Sequence, residues 1–450
     1  MVKISRYVLL VISIFLFVYV FYRAQIYSEG TRNDVYFRYY LAALIIVIIS
    51  IVNFFIDIKS SLIVFIIFLS LVFGAYLFEA FLLIDIIKSK KQSQQNNQAN
   101  VKSIYNLVNE NDDLVPATIA RIIISEKENL FSLSGISKKK TIHCNENGYY
   151  SIYDSDRYGF NNPDKEWDKE KVDFFLIGDS FVHGACVNEQ DTISGNIRKI
   201  DKENVVLNVA LGGNGPLAEY ASLREYLPIV KAKNVLWFYF EENDLLELSR
   251  ELKNKLLLKY LNDINYSQDL KSKQDIIDEK LYLISSKFKK SEISKNKNYL
   301  KQAIIRSVKL FNIRKLTIEE LLYEQPVDKL EKILEKSKKF VENNNSKLYF
   351  IYLPEYSRYV SKFKINNNRR KYNDILKIVS KLNIPLIDLH KEVFEPHNDP
   401  LSFFPGRANG HYTELGYKII TEKVIEKIKE FEWVISALFN LNFFKKNIRS

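Results

Sequence analysis

Four short stretches carry side chains whose types and order could perform nucleophilic chemistry. The first is Gly178-Asp179-Ser180, which abruptly ends the apolar run 172–177. A short run rich in Phe, Ile and Val that stops at Gly predicts a buried parallel strand, and open α/β sheets bind ligands at the carboxyl ends of such strands. A serine that begins the following helix is exposed and favoured as a nucleophile. The alternative is that Asp179 or Ser180 only caps that helix.

Two further stretches follow the next predicted strands. In the segment 208–216, Gly212 and Gly213 allow the backbone to approach a ligand closely and to direct N–H groups at it. Asn243 comes soon after the strand predicted at 235–240, where its amide could donate a hydrogen bond to a developing oxyanion. An ordinary glycine-rich turn and an Asn-Asp helix cap are the alternatives for these two stretches.

His411 supplies the remaining group. It lies in the segment 409–417, on a loop that begins the last predicted helix, and it is one of five histidines in the chain. From there it could return to the nucleophile and act as its general base. A purely structural histidine is the alternative.

In this order the four stretches resemble the SGNH, or GDSL-type, hydrolase superfamily. The resemblance implies a flavodoxin-like sheet in which Ser180 is the nucleophile and His411 is the general base. It also implies an oxyanion hole made by the backbone N–H of Ser180, by Asn243 and by Gly213, with Gly212 as the nearest alternative to Gly213.

Two positions depart from the pattern of the superfamily. The acid that usually precedes the histidine by two or three residues is missing, since those positions hold Asn409 and Ala408. Glu241 stands where the third block usually begins with glycine. We therefore expect Asn409 to orient His411, or Glu241 or Glu242 to supply the carboxylate from the neighbouring strand end. The third alternative is that nothing replaces the acid and that activity is poor or lost.

Five short apolar runs, separated by helical patterns, predict the elements that position these residues. The runs are 172–177, 205–209, 235–240, 348–353 and 384–389. Strands that alternate with helices predict an α/β fold, here a flavodoxin-like parallel sheet of about five strands with helices on both faces. The charged, Leu/Ile-periodic and glycine-free stretch at about 245–345 predicts a helical insertion packed beside the site.

Three long apolar runs precede this domain, and we expect each of them to cross a hydrocarbon core of about 30 Å. They are 7–22, 40–57 and 61–85. The sequence thus predicts three segments, which are a membrane anchor with three transmembrane helices at 1–87, a polar linker at 88–104 and an SGNH hydrolase-like domain at 105–450. Glu79 and Asp85, late in the third run, are either intramembrane functional groups or mark where the helix leaves the bilayer.

Two observations on the orientation of the domain conflict. The distribution of Lys and Arg mildly favours a cytoplasmic domain, whereas the resemblance, with Lys3 and Arg6 in the cytoplasm, favours the periplasm or the cell exterior, which we adopt. Cys144 and Cys186 are the only cysteines and lie on either side of the nucleophile in sequence, so we expect a disulfide between them in an exported domain. Two buried free thiols are the alternative in a cytoplasmic one.

The composition argues against several other classes of function. The net charge of +11 comes mostly from lysines spread over helical stretches with acidic neighbours, so nucleic acid is not an expected partner. The sequence has no CxxC, no metal-ligand spacing, no Walker loop and no GxGxxG. We therefore expect neither a metal nor another cofactor.

The segment 153–164 resembles a subset of the superfamily whose bacterial members carry N-terminal membrane helices and are often linked to cell-envelope polysaccharide. The resemblance covers roughly residues 140–430 and does not include the membrane helices. It implies an integral protein of the bacterial inner membrane that acts as a serine esterase or O-acyltransferase on acyl esters, with acetyl the expected group, of envelope glycans. Its partners would be the lipid bilayer, the acylated glycan and other proteins of envelope polysaccharide assembly. The alternative is a catalytically degenerate protein of the same fold that binds glycan or acts as a scaffold.

Overall fold

The structure is a computed structural model that describes most of the chain. The described residues are 2–27, 33–95, 104–111, 113–118, 130–291, 305–314, 326–360 and 367–447. They form two compact units. The helical unit comprises Met1–Lys88 and Asn298–Glu324, and the sheet unit comprises Ser89–Lys297 and Gln325–Ser450.

The helices and strands are numbered in chain order. The helices are α1 (Val2–Phe21), α2 (Asn33–Val52), α3 (Ile58–Gln95), α4 (Ile104–Glu110), α5 (Ser180–His183), α6 (Ile193–Ile200), α7 (Pro216–Tyr226), α8 (Asp244–Glu251), α9 (Lys255–Asn262), α10 (Gln274–Ser291), α11 (Phe311–Arg314), α12 (Val327–Asn343), α13 (Ser357–Val360), α14 (Asn367–Lys381) and α15 (Glu414–Asn447). The strands are β1 (Leu114–Pro116), β2 (Lys140–Ile142), β3 (Ile152–Asp154), β4 (Lys171–Ile177), β5 (Val206–Asn208), β6 (Lys231–Phe240), β7 (Lys347–Leu353) and β8 (Leu386–Asp388).

Strands β4 to β8 form one parallel sheet in the order β5-β4-β6-β7-β8. Counted from its first strand, this order is 2-1-3-4-5, which is the order of flavodoxin-like folds. The five strands coincide with the five apolar runs in the sequence, so the predicted α/β fold is confirmed. After β4 the chain adds β5 on one side and then β6 on the other, so the strand order reverses between β4 and β6. The crevice at such a switch point is where open α/β sheets bind ligands.

Helices cover both faces of this sheet. Phe175 and Ile177 of β4 lie in a core shared with α7, α9, α12 and α14. Phe174 and Leu176 of the same strand lie in a second core, shared with α6 and α15. Successive side chains of a strand point to opposite faces, so a strand covered on both sides is apolar at every position. This is why continuous apolar runs, rather than alternating ones, mark these strands in the sequence.

A second, three-stranded sheet precedes the large one. Strand β2 pairs in parallel with β1 and antiparallel with β3. The β2–β3 loop, residues 143–151, is closed by hydrogen bonds from His143 N to Ser151 O (2.9 Å) and from Ser151 N to Cys144 O (3.0 Å). The sequence analysis did not predict this sheet, because its three-residue strands lie outside the continuous apolar runs that mark β4 to β8.

Among the described residues of the helical unit, two helices are long and apolar enough to cross a membrane, over Ile4–Tyr27 and Ile58–Ile84. The apolar part of α2 is shorter and covers only Tyr36–Val52. At 1.5 Å per residue these 17 residues span roughly 25 Å, less than the hydrocarbon thickness of about 30 Å. The predicted count of three transmembrane helices is therefore corrected to two helices of sufficient length.

Helix α2 nevertheless packs closely on α1. The hydroxyl groups of Ser13 and Ser50 are 2.9 Å apart, and the rings of Phe17 and Tyr40 pack edge to face. Arg6 donates a hydrogen bond to the carbonyl of Ile56, beyond the end of α2. The start of α1 thus lies near the end of α2, and the two helices are antiparallel.

The predicted helical insertion at about 245–345 is divided between the two units. Helices α8, α9, α10 and α12 belong to the sheet unit, where Tyr260 of α9 and Leu330 of α12 are fully buried in the core. The part Asn298–Glu324 belongs to the helical unit. The insertion therefore supplies core helices to one unit and a separate segment to the other.

Candidate active site

Ser180 is the first residue of α5 and follows β4 after a two-residue turn. Each residue of the turn has a physical role. A Cβ at position 178 would lie 2.5 Å from Cγ2 of Val182, so only glycine allows the helix to start this close to the strand. The carboxylate of Asp179 accepts a hydrogen bond of 2.9 Å from the N–H of Phe181 and so caps α5. Asp179 is the cap, and the hydroxyl of Ser180 remains available.

His411 lies beside this hydroxyl. Its Nε2 atom is 2.9 Å from Ser180 Oγ, which is a normal hydrogen-bond distance. The ring of Phe181 packs against the imidazole, with the two centroids 4.8 Å apart. The structure thus brings together two residues that are 231 positions apart in the sequence, in the geometry of a nucleophile and its base.

Glu146 of the β2–β3 loop contacts the other side of His411. Its carboxylate oxygens lie 3.1 and 3.2 Å from His411 Nδ1, and Oε2 also accepts a hydrogen bond of 2.6 Å from the backbone N–H of His411. A Cβ at Gly410 would lie 2.7 Å from Glu146 Oε2, so this glycine makes room for the carboxylate. Glu146 can therefore fix the imidazole in the tautomer with a proton on Nδ1, which leaves Nε2 free to accept the serine proton.

The same contact changes the pKa of both groups. Burial disfavours the charged imidazolium, but the hydrogen bond and the charge of Glu146 outweigh burial, and the pKa of His411 is raised above 6.5. For Glu146, burial raises the pKa of the carboxyl, yet the hydrogen bonds with His411 lower it more, so it stays ionised. An ionised partner is what stabilises the imidazolium that forms when His411 takes a proton.

Covalent and hydrogen bonds hold Glu146 on both sides. Two residues before it, Cys144 forms a disulfide with Cys186, the pairing expected for an exported domain. One residue after it, Asn147 donates a hydrogen bond of 3.0 Å to the carbonyl of Cys186. The loop is thus fastened to the segment that follows α5, only a few residues from Ser180.

The residues proposed from the sequence as substitutes for the missing acid do not occupy this position. Asn409 is exposed, and Nδ1 of His411 is taken by Glu146. The carboxylate of Glu241 is fully buried and pairs with the guanidinium of Arg358 through Nε (2.9 Å) and Nη2. The predictions that Asn409 orients His411 and that Glu241 supplies the carboxylate are therefore wrong. Glu146, which no motif had indicated, contacts the ring instead.

Glu242 is the remaining candidate acid. It is exposed, and its charge is the last of several that raise the pKa of His411, after those of Glu146 and Asp179. The direct contact with Nδ1 belongs to Glu146. Glu242 therefore acts on His411 only through space.

The structure brings all three proposed oxyanion donors to the same edge of the sheet. Asn243 Nδ2 lies 3.4 Å from Asp179 Oδ2, next to the serine, and this leaves the second hydrogen of the amide for a ligand. Gly213 follows β5 in a turn with φ of +83°, a conformation that favours glycine. The N–H of Ser180, at the first position of α5, lies outside the helix's own hydrogen bonds.

Two residues that the sequence analysis did not single out hold the glycine turn. The N–H of Gly212 donates to Nδ1 of the buried His183 over 3.3 Å, and Nε2 of this histidine lies 2.9 Å from the hydroxyl of Tyr153. Burial and the nearby His411 lower the pKa of His183 to about 4, so its ring is neutral and Nδ1 can accept. On the other side, Glu251 accepts hydrogen bonds from the N–H groups of Gly215 and Leu217.

A metal does not fit the one group of potential ligands found among the described residues. Cys144, Cys186 and His411 have their ligand atoms within 4.8 Å of one another. The two sulfur atoms are bonded to each other and offer no thiolate. We therefore assign these residues to the disulfide and to the histidine that faces Ser180.

No protein-family model and no curated protein sequence matches this chain. Its structure is similar to solved GDSL-type and related acylhydrolases. A protein assigned to the G-D-S-L family of lipolytic proteins from Desulfitobacterium hafniense DCB-2 shares 12% identity at a TM-score of 0.34, covering 58% of this chain and 99% of that chain. A lipase/acylhydrolase from Enterococcus faecalis shares 12% identity at a TM-score of 0.32, covering 58% of this chain and 96% of its own. A psychrotrophic esterase from Pseudoalteromonas sp. shares 10% identity at a TM-score of 0.30, covering 58% and 98% of the two chains.

Proposed function

We propose that this protein is a serine ester hydrolase or O-acyltransferase. One observation carries the proposal: Ser180 Oγ lies 2.9 Å from His411 Nε2, while Glu146 contacts Nδ1 of the same ring. A serine, a histidine and a carboxylate in this order of contacts form the arrangement that activates a hydroxyl for attack on an acyl carbonyl.

The chemistry follows from these contacts. Ser180 Oγ attacks the carbonyl carbon of the ester while His411 Nε2 takes the serine proton. Glu146 stabilises the imidazolium, and the N–H groups of Ser180 and Gly213 with the amide of Asn243 stabilise the oxyanion. The imidazolium then gives its proton to the leaving alcohol, and an acyl-enzyme remains. Water as the acceptor completes hydrolysis, whereas a sugar hydroxyl completes acyl transfer.

We further propose that the substrate is an O-acylated glycan of the bacterial cell envelope and that the protein is anchored in the inner membrane. Two helices of sufficient length and apolarity support the anchor. The Cys144–Cys186 disulfide supports placement of the sheet unit in the periplasm or outside the cell, because disulfides persist in oxidising compartments. The glycan and any partner proteins of polysaccharide assembly rest on the resemblance of the sequence motifs.

The experiment that tests the proposal uses the full chain purified in detergent. We expect a serine-directed fluorophosphonate to label Ser180, where the Oγ–P bond forms and fluoride leaves, and we expect turnover of a small acetyl ester. Ser180→Ala should abolish labelling and reduce kcat by about 10⁶-fold, toward the background. Ser249→Ala removes a serine whose hydroxyl bonds to the carbonyl of Leu246 in α8, so it serves as the matched control and should remain active.

A binding or scaffolding protein is the alternative from another class. Its support in the sequence was the absence of an acid before His411, and Glu146 now occupies that position in space. If the unmutated protein is neither labelled nor faster than Ser180→Ala on any acyl ester, this alternative replaces the enzymatic proposal. Adding an oligosaccharide acceptor to the active protein separates transfer, which acylates the sugar, from hydrolysis, which releases free acid.

A further inference from the structure

Glu79 is the most unusual residue of the helical unit. It lies within the apolar stretch Ile58–Ile84 of α3, yet its side chain is only 1% exposed. Its carboxylate accepts three hydrogen bonds, from the backbone N–H of Asn312 (3.0 Å), from the side-chain amide of Asn312 (2.9 Å) and from the N–H of Ile313 (2.9 Å). These donors belong to a segment more than 230 residues further along the chain.

This segment, residues 305–314, is called the docked segment below. Two further contacts attach it to the apolar helices. The hydroxyl of Tyr76 on α3 donates to the carbonyl of Val308 over 3.0 Å. Nε of Arg314 donates to the hydroxyl of Tyr39 on α2 over 3.1 Å, and the guanidinium lies 5.5 Å from the centre of the same ring. The docked segment therefore bridges two helices of the unit.

The outer surface of the docked segment carries two apolar side chains and two basic ones, Arg306 and Lys309. Val308 is 62% exposed and Ile305 is 37% exposed, beside the equally exposed apolar side chains of α3. Glu79 lies five residues before the end of the apolar stretch at Ile84, which is about 7–8 Å along the helix at 1.5 Å per residue. The whole stretch of 27 residues is about 40 Å long, roughly 10 Å more than the hydrocarbon core, so Glu79 falls near the depth where acyl chains give way to head groups. The charged groups of Arg306 and Lys309 could reach the head groups while their stems stay apolar.

We propose that the docked segment is itself a membrane element, an amphipathic stretch inserted at the bilayer interface with Ile305 and Val308 against lipid and with Glu79 as its anchor. The proposal rests on the proposed attachment to the membrane and not on the proposed ester chemistry. It makes the membrane part of this protein a composite of the N-terminal helices and a segment from the middle of the chain.

Burying Glu79 and the docked segment against each other is energetically favourable for both. A carboxylate at this depth is costly unless it is hydrogen-bonded, and backbone N–H groups that face lipid are equally costly. When the docked segment binds to α3, the carboxylate and the N–H groups are both hydrogen-bonded, since three N–H groups donate to the two oxygens of Glu79. The sequence left Glu79 as either an intramembrane functional group or a mark of where the helix leaves the bilayer. Anchoring the docked segment gives it the first of these roles.

Single cysteines test the proposal in the full chain, because both native cysteines are paired. Val308→Cys probes the docked segment, and Ile264→Cys is the matched control on the sheet unit, since the two side chains are 62% and 60% exposed. In carbonate-washed membranes opened to reagents on both faces, a polar maleimide should label Val308→Cys about tenfold more slowly than Ile264→Cys. A fluorophore on Val308→Cys should be quenched by nitroxide-labelled lipids, and the same fluorophore on Ile264→Cys should not.

Changing the anchor supplies the second measurement. Glu79→Leu removes every acceptor for the three N–H groups, so the docked segment should leave the interface and the labelling of Val308→Cys should approach that of Ile264→Cys. Glu79→Gln keeps one acceptor oxygen and should fall between the two. If the polar maleimide labels both cysteines at one rate in membranes that retain the protein, the docked segment is not in the bilayer and the proposal is wrong. If carbonate removes the whole protein, the membrane attachment fails and this proposal fails with it.

Discussion

The candidate site has two halves that are held in different ways. The sheet half comprises Ser180, Gly213 and Asn243, which follow the adjacent strands β4, β5 and β6. The loop half comprises Glu146 and His411, which come from the β2–β3 loop and from the loop before α15. The backbone ladder of the sheet fixes the strand ends from which the first half extends, and the side chains of His183 and Glu251 then hold its glycine turn. A disulfide and side-chain hydrogen bonds fix the second half.

The difference shows in what each position depends on. Leu176 of β4 lies opposite Asn208 of β5, and Val209 N donates to Leu176 O, so backbone pairing brings the ends of both strands to one level. Glu146 is held beside His411 by the bonds that fasten Cys144 and Asn147 to Cys186. The sheet half should therefore tolerate single changes in its surroundings, and the loop half should not.

Glu146→Gln should cause the largest loss of the variants that spare the nucleophile and the base. Glutamine keeps the shape but offers no charge, and its amide nitrogen can place His411 in the wrong tautomer. In a serine triad the equivalent change lowers kcat by about 10⁴-fold. Steady-state kinetics on a small acetyl ester measure the effect, with Glu395→Gln as the control, because Glu395 is an exposed acid whose carboxylate pairs with Lys391.

The pH profile separates a positioning role of Glu146 from a merely structural one. His411 acts as a base only when neutral, and Glu146 raises its pKa, so the acid limb of kcat/KM should lie above pH 6.5 in the unmutated protein. Without the carboxylate, burial remains and lowers the pKa, so the limb of Glu146→Gln should move to lower pH. A large loss of activity with an unmoved limb would mean that Glu146 only supports the loop.

The sheet half of the site could be predicted from the sequence, whereas Glu146 of the loop half could not. The five strands and the residues that follow them were predictable, because apolar runs report strands and parallel strands end at a common edge. The position of Glu146 was not, because it depends on a contact across 265 residues with His411. One signal was present: a disulfide between Cys144 and Cys186 already places the residues next to Cys144 near Ser180.

The helical unit shows the same limit. Apolar length predicted α1 and α3, but it overestimated α2, whose apolar part is only Tyr36–Val52. Nothing local in the sequence joins Glu79 to Asn312, since only the fold brings them together. In both units, long-range polar contacts are what the sequence pattern could not locate.

Asn243→Ala tests the sheet half directly. The amide is expected to stabilise the oxyanion only in the transition state, so kcat should fall by about 10²- to 10³-fold with little change in KM. Asn262→Ala, at the exposed end of α9, is the control and should leave both constants unchanged. An unchanged kcat in Asn243→Ala would remove this residue from the oxyanion hole and leave only backbone donors.

Loss of the disulfide should have a smaller effect and should act through Glu146. In a Cys144→Ser, Cys186→Ser double variant, Asn147 still bonds to the carbonyl of Cys186, so the loop loosens without leaving. A misplacement on the order of 1 Å can cost up to about 100-fold, and we expect a loss of about 10- to 100-fold in kcat/KM.

A double-mutant cycle checks that this loss passes through Glu146. Removing the disulfide from Glu146→Gln should cost little more, because the carboxylate that the disulfide positions is already gone. Additive losses would show that the disulfide supports the site by another route. Reduction of the unmutated protein with a thiol, followed by reoxidation, should reproduce the loss and then its recovery.

Asn409 should give the smallest effect, and it distinguishes the motif from the structure. By sequence it occupies the place of the missing acid, so Asn409→Asp would complete a triad and raise turnover. In the structure Asn409 is exposed, and Glu146 already accepts hydrogen bonds from both the ring N–H and the backbone N–H of His411. Both Asn409→Asp and Asn409→Ala should therefore change kcat/KM by no more than about twofold, as surface substitutions do.

The sharper measurement of the role of Asn409 is in the Glu146→Gln background, where the position beside Nδ1 has lost its charge. If Asn409→Asp restores activity there, residue 409 can reach the ring once the competing carboxylate is removed, and the acid of the loop half is set by competition between two segments. If it does not, the path of the chain through Gly410 keeps residue 409 away from the imidazole, and of these two residues only Glu146 can orient His411.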